Sequence, residues 1–287
     1  VPALLLVLLA TLVAGYLILL PPELADLSDS ALFALAFLSN VHFMLTADYF
    51  ASAAEATPLL HTWSLAVEEQ FYIFYPVILL LIWKWKPRMM GPAVLACTVL
   101  SLIAAHAMAA IRPEPAFYLL PARAWELGVG ALVALGMFPR LQSDRARQVA
   151  AAAGVALIFG AFAFISDGPL FPAPLAIFPV LGTALLIAYG QEAFTSRLLS
   201  LPPMQFIGNI SYSLYLWHWP VITFYRIQTG FDLSAVETVG LVTVSLALAS
   251  ATYVAVERPC LQRLRNRQSP SDRQVTLGGL GAIAAAM

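Results

Sequence analysis

His61-Thr62-Trp63-Ser64-Leu65-Ala66-Val67-Glu68-Glu69-Gln70-Phe71-Tyr72-Ile73-Phe74-Tyr75-Pro76 runs without a break into Val77-Ile78-Leu79-Leu80-Leu81-Ile82. The first sixteen residues collect a His, a Ser, two adjacent Glu, a Gln and two Tyr, while the sequence around them is mostly Ala, Leu, Val, Ile and Phe. Carboxylates at the mouth of an apolar helix are costly to hold there. The stretch therefore reads as the start of a membrane-spanning helix and as the first place to look for chemistry.

Working outward, composition supports the membrane reading. Of 287 residues, 61% are hydrophobic and 11% charged, and mean hydropathy is +0.82. Soluble domains carry about 25% charged residues. A net charge of -1 gives no reason to expect nucleic-acid binding. Cys97 and Cys260 suggest neither a disulfide framework nor a zinc site, and no metal site is expected.

A spanning helix needs about 20 apolar residues. Candidate runs cover 1–20, 31–46, 64–83, 91–111, 122–138, 149–166, 174–190, 206–225, 235–256 and 275–287. Their length excludes the alternating pattern of a barrel. The expected fold is all-α, a polytopic transmembrane helix bundle of about 8–10 membrane segments. Residues 1–274 are expected to form the membrane domain, and 275–287 the start of an additional helix.

Basic residues set the orientation. They cluster at Lys84, Lys86 and Arg88, at Arg140, Arg145 and Arg147, and at Arg258, Arg263, Arg265, Arg267 and Arg273, with Arg197 alone in its linker. Placing these linkers in the cytoplasm leaves only Arg112, Arg123 and Arg226 outside. The linkers at 21–30 and 47–60 carry only acids, Glu23, Asp26, Asp29, Asp48 and Glu55. Both then face outward, so 31–46 is expected to be re-entrant or to lie within the outer boundary.

As a helix, the opening stretch aligns Ser64, Glu68, Tyr72 and Tyr75 on one face, with His61 one turn earlier. Glu69 sits about 100° round from Glu68. One Glu could act as a general acid/base or orient a neighbouring His; the plainer alternative is an ion pair or a helix cap. Arg123 and Glu126 stand at i,i+3 and could pair with each other, or Arg123 could hold a carboxylate or phosphate. Gly128 and Gly130 suggest close helix packing. A third cluster, Ile210-Ser211-Tyr212-Ser213-Leu214-Tyr215-Leu216-Trp217-His218-Trp219-Pro220, places Ser211, Tyr215 and His218 on one face. His218 could polarise a carbonyl or guide a sugar hydroxyl, or simply be hydrogen-bonded among its aromatic neighbours. Ser211 and Tyr215 fit interhelical hydrogen bonds better than nucleophiles, and His42 and His106 read as structural.

His-Thr-Trp-Ser-Leu-Ala-Val-Glu-Glu-Gln-Phe-Tyr at 61–72 and Ile-Ser-Tyr-Ser-Leu-Tyr-Leu-Trp-His-Trp-Pro at 210–220 resemble hallmark segments of the acyltransferase 3 family, in its bacterial O-antigen and surface-polysaccharide O-acetylase branch. Arg123-Ala124-Trp125-Glu126 and Glu257-Arg258-Pro259 are similar to that branch too. The resemblance spans essentially the whole chain. It implies a multi-pass protein of the bacterial inner membrane with about ten helices. It implies transfer of an acyl group, usually acetyl from cytoplasmic acetyl-CoA, to a hydroxyl of an extracytoplasmic glycan or lipid-linked saccharide. The acyl-CoA is a donor substrate rather than a bound cofactor.

The family's acidic motif falls on Glu68 and Glu69, the implied catalytic residues, with His61, Gln70 and Tyr72 beside them. Its C-terminal motif falls on Ser211, Tyr215 and His218; these, with Arg123 and Glu126, are the implied substrate-binding groups. The family's catalytic His lies on a first helix, and Val1 matches the start of the third. This sequence is accordingly expected to lack that His and to be inactive alone. Members of this branch often continue through a final helix, which the run from Val275 would supply, into an extracytoplasmic SGNH hydrolase-like domain. Two rival classes are a glycan or lipid transporter or flippase, which the lack of a second copy of the 61–76 pattern disfavours, and a non-catalytic membrane scaffold.

Overall fold

The computed structural model describes residues 2–46, 56–165, 174–230 and 232–267. Among these residues every regular element is a helix and there is no strand, as the all-α reading requires. The helix expected over 275–287 lies outside the described residues, as do Asp48, Glu55 and most of the Pro-rich linker at 168–174.

The helices are α1 (Pro2–Ile18), α2 (Pro21–Leu35), α3 (Ser39–Thr46), α4 (Thr62–Trp85), α5 (Met90–Ile111), α6 (Pro113–Tyr118), α7 (Leu120–Ala134), α8 (Asp144–Phe164), α9 (Ile177–Tyr189), α10 (Phe194–Leu199), α11 (Pro202–Thr229), α12 (Ala235–Thr252) and α13 (Arg258–Arg267). Among the described residues four segments are long and apolar enough to cross a membrane: Thr62–Trp85, Pro87–Ile111, Asp144–Phe164 and Ala235–Arg263. α1 and α9 are apolar but shorter. α11 has 28 residues but carries Asn209, Ser211, Ser213 and His218, which dilute its hydropathy. The run at 31–46 does not form one helix. α2 begins at Pro21 and stops at Leu35, Phe37 turns the chain at φ 54°, and α3 follows for eight residues.

Two compact units emerge, one of Val1–Glu68 with Gln205–Ser269, the other, of described residues, Glu69–Met204. In the first, α1 buries Ala3, Leu4, Val7, Leu8, Thr11 and Gly15, the i, i+3/i+4 stripe of a helix face. Leu5, Leu9, Val13 and Leu17 on the other face are exposed, as suits a lipid-facing surface. α2 and α3 meet through His42, whose ring stacks on Phe33 at 4.5 Å. Its Nε2 lies 3.3 Å from the Ser30 hydroxyl. Burial holds His42 below its ordinary value, with Asp29 and Asp26 pulling the other way. The structural reading of His42 fits these contacts.

After α12 the backbone widens into one π-helical turn, Tyr253–Glu257. Pro259 explains it: with no N–H to offer and a ring that crowds the carbonyl four residues back, it disrupts the regular ladder there.

In the second unit Phe71, Tyr75, Leu79, Val94, Ala131 and Leu132 form one apolar cluster, with Phe71 stacked on Tyr75 at 4.7 Å. α8 and α9 pack through small residues. A Cβ on Gly154 would stand 2.8 Å from the Gly182 carbonyl oxygen, and one on Gly182 equally close to that of Gly154. The expectation for the α7 glycines divides. A Cβ on Gly128 would strike Thr98 Oγ1 at 2.4 Å, whereas Gly130 has nothing within 4 Å and faces a cavity lined also by Glu126 and Thr183.

Candidate functional site

His61 sits on the turn that opens α4, and that turn is held firmly. Leu59 and Leu60 are buried beneath it. The buried Thr62 hydroxyl lies 2.9 Å from Ser39 Oγ on α3 and 2.8 Å from the Leu59 carbonyl. Trp219 Nε1 on α11 donates to the Thr57 carbonyl at 2.9 Å. A tight turn with its own hydrogen bonds, pinned by α3 and α11, is what a precisely placed side chain needs.

Against this turn α11 lays Tyr215 and His218. The Tyr215 hydroxyl donates to the His61 carbonyl at 2.5 Å, and Ser64 Oγ lies 2.5 Å from the same phenolic oxygen. A carbonyl can only accept and a phenol has one proton. Ser64 therefore donates to Tyr215, and Tyr215 to His61. His218 Nδ1 bonds the Tyr215 carbonyl at 2.7 Å, so Nδ1 carries a proton. In the neutral ring this leaves Nε2 with its lone pair free to accept. The ring centroids of His61 and His218 are 5.7 Å apart, and those of His61 and Tyr215 5.3 Å.

His61 is buried, and neither ring nitrogen meets a partner at full hydrogen-bond geometry. Besides the Tyr215 and His218 rings, the Leu216 carbonyl of α11 lies near enough to the ring to favour its protonated form. In a regular helix the N–H of residue 220 would bond that oxygen, but residue 220 is proline and has none. The sequence Leu216-Trp217-His218-Trp219-Pro220 thus turns a backbone acceptor of α11 toward the histidine.

Burial pushes His61, which precedes the spanning helix, down from 6.5 to about 3, and the neighbouring His218 adds to the effect. Below pH 6.5 the unfolded chain then binds a proton that the folded one refuses, so stability rises with pH. The contribution is fully present above pH 6.5 and is lost as pH falls toward about 3, by up to about 1.4 kcal/mol per pH unit. Unfolding midpoints of the purified full-length protein between pH 4 and 7 should fall more steeply for wild type than for His61→Gln. Parallel curves would refute the burial argument.

The hydroxyl chain makes a second prediction. Tyr215→Phe removes the short acceptor of the Ser64 hydroxyl and the short donor to the His61 carbonyl, leaving those two groups only their own 3.5 Å contact. The expected cost is about 1–3 kcal/mol, read from thermal unfolding. Ser64→Ala on top of it should add little, because both changes break one network.

Glu68, at the end of the same unit, is exposed and within electrostatic reach of the Tyr215 hydroxyl. The first unit therefore gathers His61, Ser64, Glu68, Tyr215 and His218. Ser211 does not join them; it is exposed, and its hydroxyl donates to the Gly208 carbonyl in its own helix. The buried serine is Ser213, which donates to Glu257 Oε1 at 2.7 Å. Trp217 Nε1 makes a parallel bond to Thr252 Oγ1 at 2.8 Å. Together they fasten α11 to the π turn and the end of α12. The quoted Glu257-Arg258-Pro259 was the available signal, but its proline had to be read as a helix-widening element.

In the second unit Glu69 and Gln70 are half-buried and Tyr72 is exposed. Arg123 and Glu126 pair at 3.2 Å, and the Arg123 guanidinium stands 5.7 Å above the Phe117 ring. Both sit in the first turns of α7, which Ser101 of α5 secures by inserting its hydroxyl into the helix ladder. It donates to the Pro121 carbonyl at 2.7 Å and accepts from the Trp125 N–H at 2.9 Å. Among the described residues no group of three His, Cys, Asp or Glu could hold a metal ion.

A family model described as an acyltransferase domain (acyltransferase 3) matches residues 1–254. The chain is 33% identical over 242 residues to BcsY of Komagataeibacter xylinus, assigned as a membrane-bound transacylase, covering 83% of this chain and 61% of that protein. It is 30% identical to the peptidoglycan O-acetyltransferase OatA of Listeria monocytogenes, over 71% of this chain and 35% of the relative. It is 28% identical to the O-acetyltransferase OatA of Staphylococcus aureus, over 75% and 38%. The chain thus spans less than two thirds of the length of these curated relatives. No solved structure matches it.

Proposed function

Since the chain belongs to the acyltransferase 3 family, we propose that it is the membrane part of an O-acyltransferase that moves an acyl group, acetyl in the first instance, from a cytoplasmic acyl-CoA to a hydroxyl of a cell-envelope glycan. The observation that carries this reading is the grouping of His61, Ser64, Glu68, Tyr215 and His218 in one unit. Acyl transfer needs a proton taken from the acceptor hydroxyl, a carbonyl carbon held for attack, and a thiolate that leaves with a proton. His218 Nε2, free to accept, holds the acceptor hydroxyl. Glu68 or Glu69 orients the basic histidine that the family resemblance places on an earlier helix, and stabilises its imidazolium as the acid of a triad does. Arg123, paired with Glu126, binds polar groups of donor or acceptor. The relatives' names support acyl transfer, and that of the Listeria protein supports an acceptor such as peptidoglycan; an O-antigen saccharide follows from the resemblance alone. The setting is the bacterial inner membrane, crossed several times.

The test is acylation by the full-length protein, reconstituted in vesicles with acetyl-CoA labelled in the acetyl group. Label appearing as a base-labile ester on added glycan supports the reading. Movement of unmodified glycan across the bilayer without ester formation would replace it with a transporter.

A further inference from the structure

A cavity of about 390 Å³ lies where α7, α8 and α9 end or begin in the second unit. Its rim is the loop from Gly136 to Leu141. Gly136 stands at φ 67°, in the left-handed region that favours glycine. The Met137 N–H reaches back to the Leu132 carbonyl and the Gly136 N–H to that of Val133, closing α7 with a Schellman cap. Two side chains then hold the loop down. Tyr189 of α9 donates its hydroxyl to the Pro139 carbonyl at 2.8 Å. Arg147 of α8 donates through Nη1 to the Leu141 carbonyl at 2.8 Å and pairs through Nη2 with Asp144. The cavity is a built feature, anchored from two helices.

Its chemistry is one-sided. Among the described residues its lining includes Arg140, Arg147, Tyr189 and Gln191, and no acidic residue. Asp144 is 87% exposed and offsets part of the Arg147 charge from outside the lining. Arg140 is exposed and brings a charge that the loop's own fastenings do not use. Val133 and Ile187 supply an apolar wall. The linker carrying Arg140, Arg145 and Arg147 is the one that the Lys/Arg partition assigns to the cytoplasmic surface. A planar guanidinium matches phosphate oxygens two at a time, and basic pockets between membrane helices on that side hold anionic headgroups.

We propose that this cavity binds a phosphate group carried by an amphiphilic or nucleotide-bearing molecule, with Arg140 as its principal contact and Arg147 as the fixed second charge. Two sources share that chemistry, an anionic phospholipid headgroup and the phosphates of a soluble nucleotide-bearing molecule. The site does not depend on the acyl-transfer reading, and its test does not measure acyl transfer.

The test uses the purified full-length protein, wild type, Arg140→Ala and Arg140→Lys. Arg147 is left in place because it also clamps the loop. Ligand-free unfolding midpoints first establish that the variants fold; should Arg140→Ala fail, Arg140→Lys, which keeps the charge and loses the fork, carries the comparison. Two probes follow: phosphatidylglycerol titrated into phosphatidylcholine nanodiscs, read by thermal unfolding, and coenzyme A or inorganic pyrophosphate, read by calorimetry. The expected result is binding of one probe that weakens about tenfold or more in Arg140→Ala, less in Arg140→Lys, and falls with added salt. Loss confined to phosphatidylglycerol identifies a lipid headgroup, and loss confined to coenzyme A and pyrophosphate identifies a soluble phosphate. No binding of either probe by wild type, or equal binding by wild type and variants, would overturn the proposal.

Discussion

A full-length protein carrying Glu68→Gln or Glu69→Gln is expected to lose acyl transfer by about a thousandfold or more, the scale seen when a triad loses its acid. Gln keeps the shape and removes the charge, so the protein should still enter the membrane and elute as wild type. The two positions differ in a way that makes the pair informative. Glu68 is exposed and within electrostatic reach of Tyr215, while Glu69 is half-buried in the second unit. Loss in Glu68→Gln alone would tie the chemistry to the His61–Tyr215–His218 cluster; loss in Glu69→Gln alone would move it to the other face of α4. Labelled ester formation under saturating acetyl-CoA is the measurement, and wild-type rates in both variants would sink the assignment of the acidic motif.

The second large effect concerns stability. Gly182→Ala places a methyl group 2.8 Å from the Gly154 carbonyl oxygen and 2.9 Å from Ile158 Cγ1. The first is backbone and cannot swing aside, so α8 and α9 must separate. The expected cost is about 1–3 kcal/mol, and Gly182→Leu should exceed it. Gly130→Ala and Gly160→Ala meet nothing within 4 Å. Both should be neutral or gain about 0.5–1 kcal/mol, because alanine loses less backbone freedom in a helix. Thermal unfolding of the four variants in detergent checks the contrast, and a uniform response would mean that the α8–α9 contact does not govern stability.

Much of the architecture was legible because lipid imposes long apolar runs. α4 and α5 form within two residues of the runs at 64–83 and 91–111. The run at 31–46 is divided between α2 and α3, which hydropathy does not register; the break at Phe37 uses no glycine or proline to announce it. α8 begins at Asp144, five residues before its apolar run, because Ser143 caps it by accepting the Ala146 N–H. At the candidate site, helical spacing correctly aligned Ser64 with Glu68 and placed Tyr215 and His218 together. It could not tell Ser211, which turns outward, from Ser213, which is buried, since both lie on the same polar stretch of α11. Contacts such as Ser101 on α7 or Trp219 on Thr57 join residues distant in sequence, and no local pattern encodes them.

Pro220 has one further consequence. The oxygen that α11 turns toward His61 belongs to the main chain, so a scan that replaces side chains one by one passes over it. Leu216→Ala would trim the side chain and leave the acceptor where it was. Only a residue able to donate its own N–H at position 220 would draw that oxygen back into the helix. The direction of a backbone acceptor beside His61 is thus set by a residue that has no polar atom in its side chain and sits a full turn away.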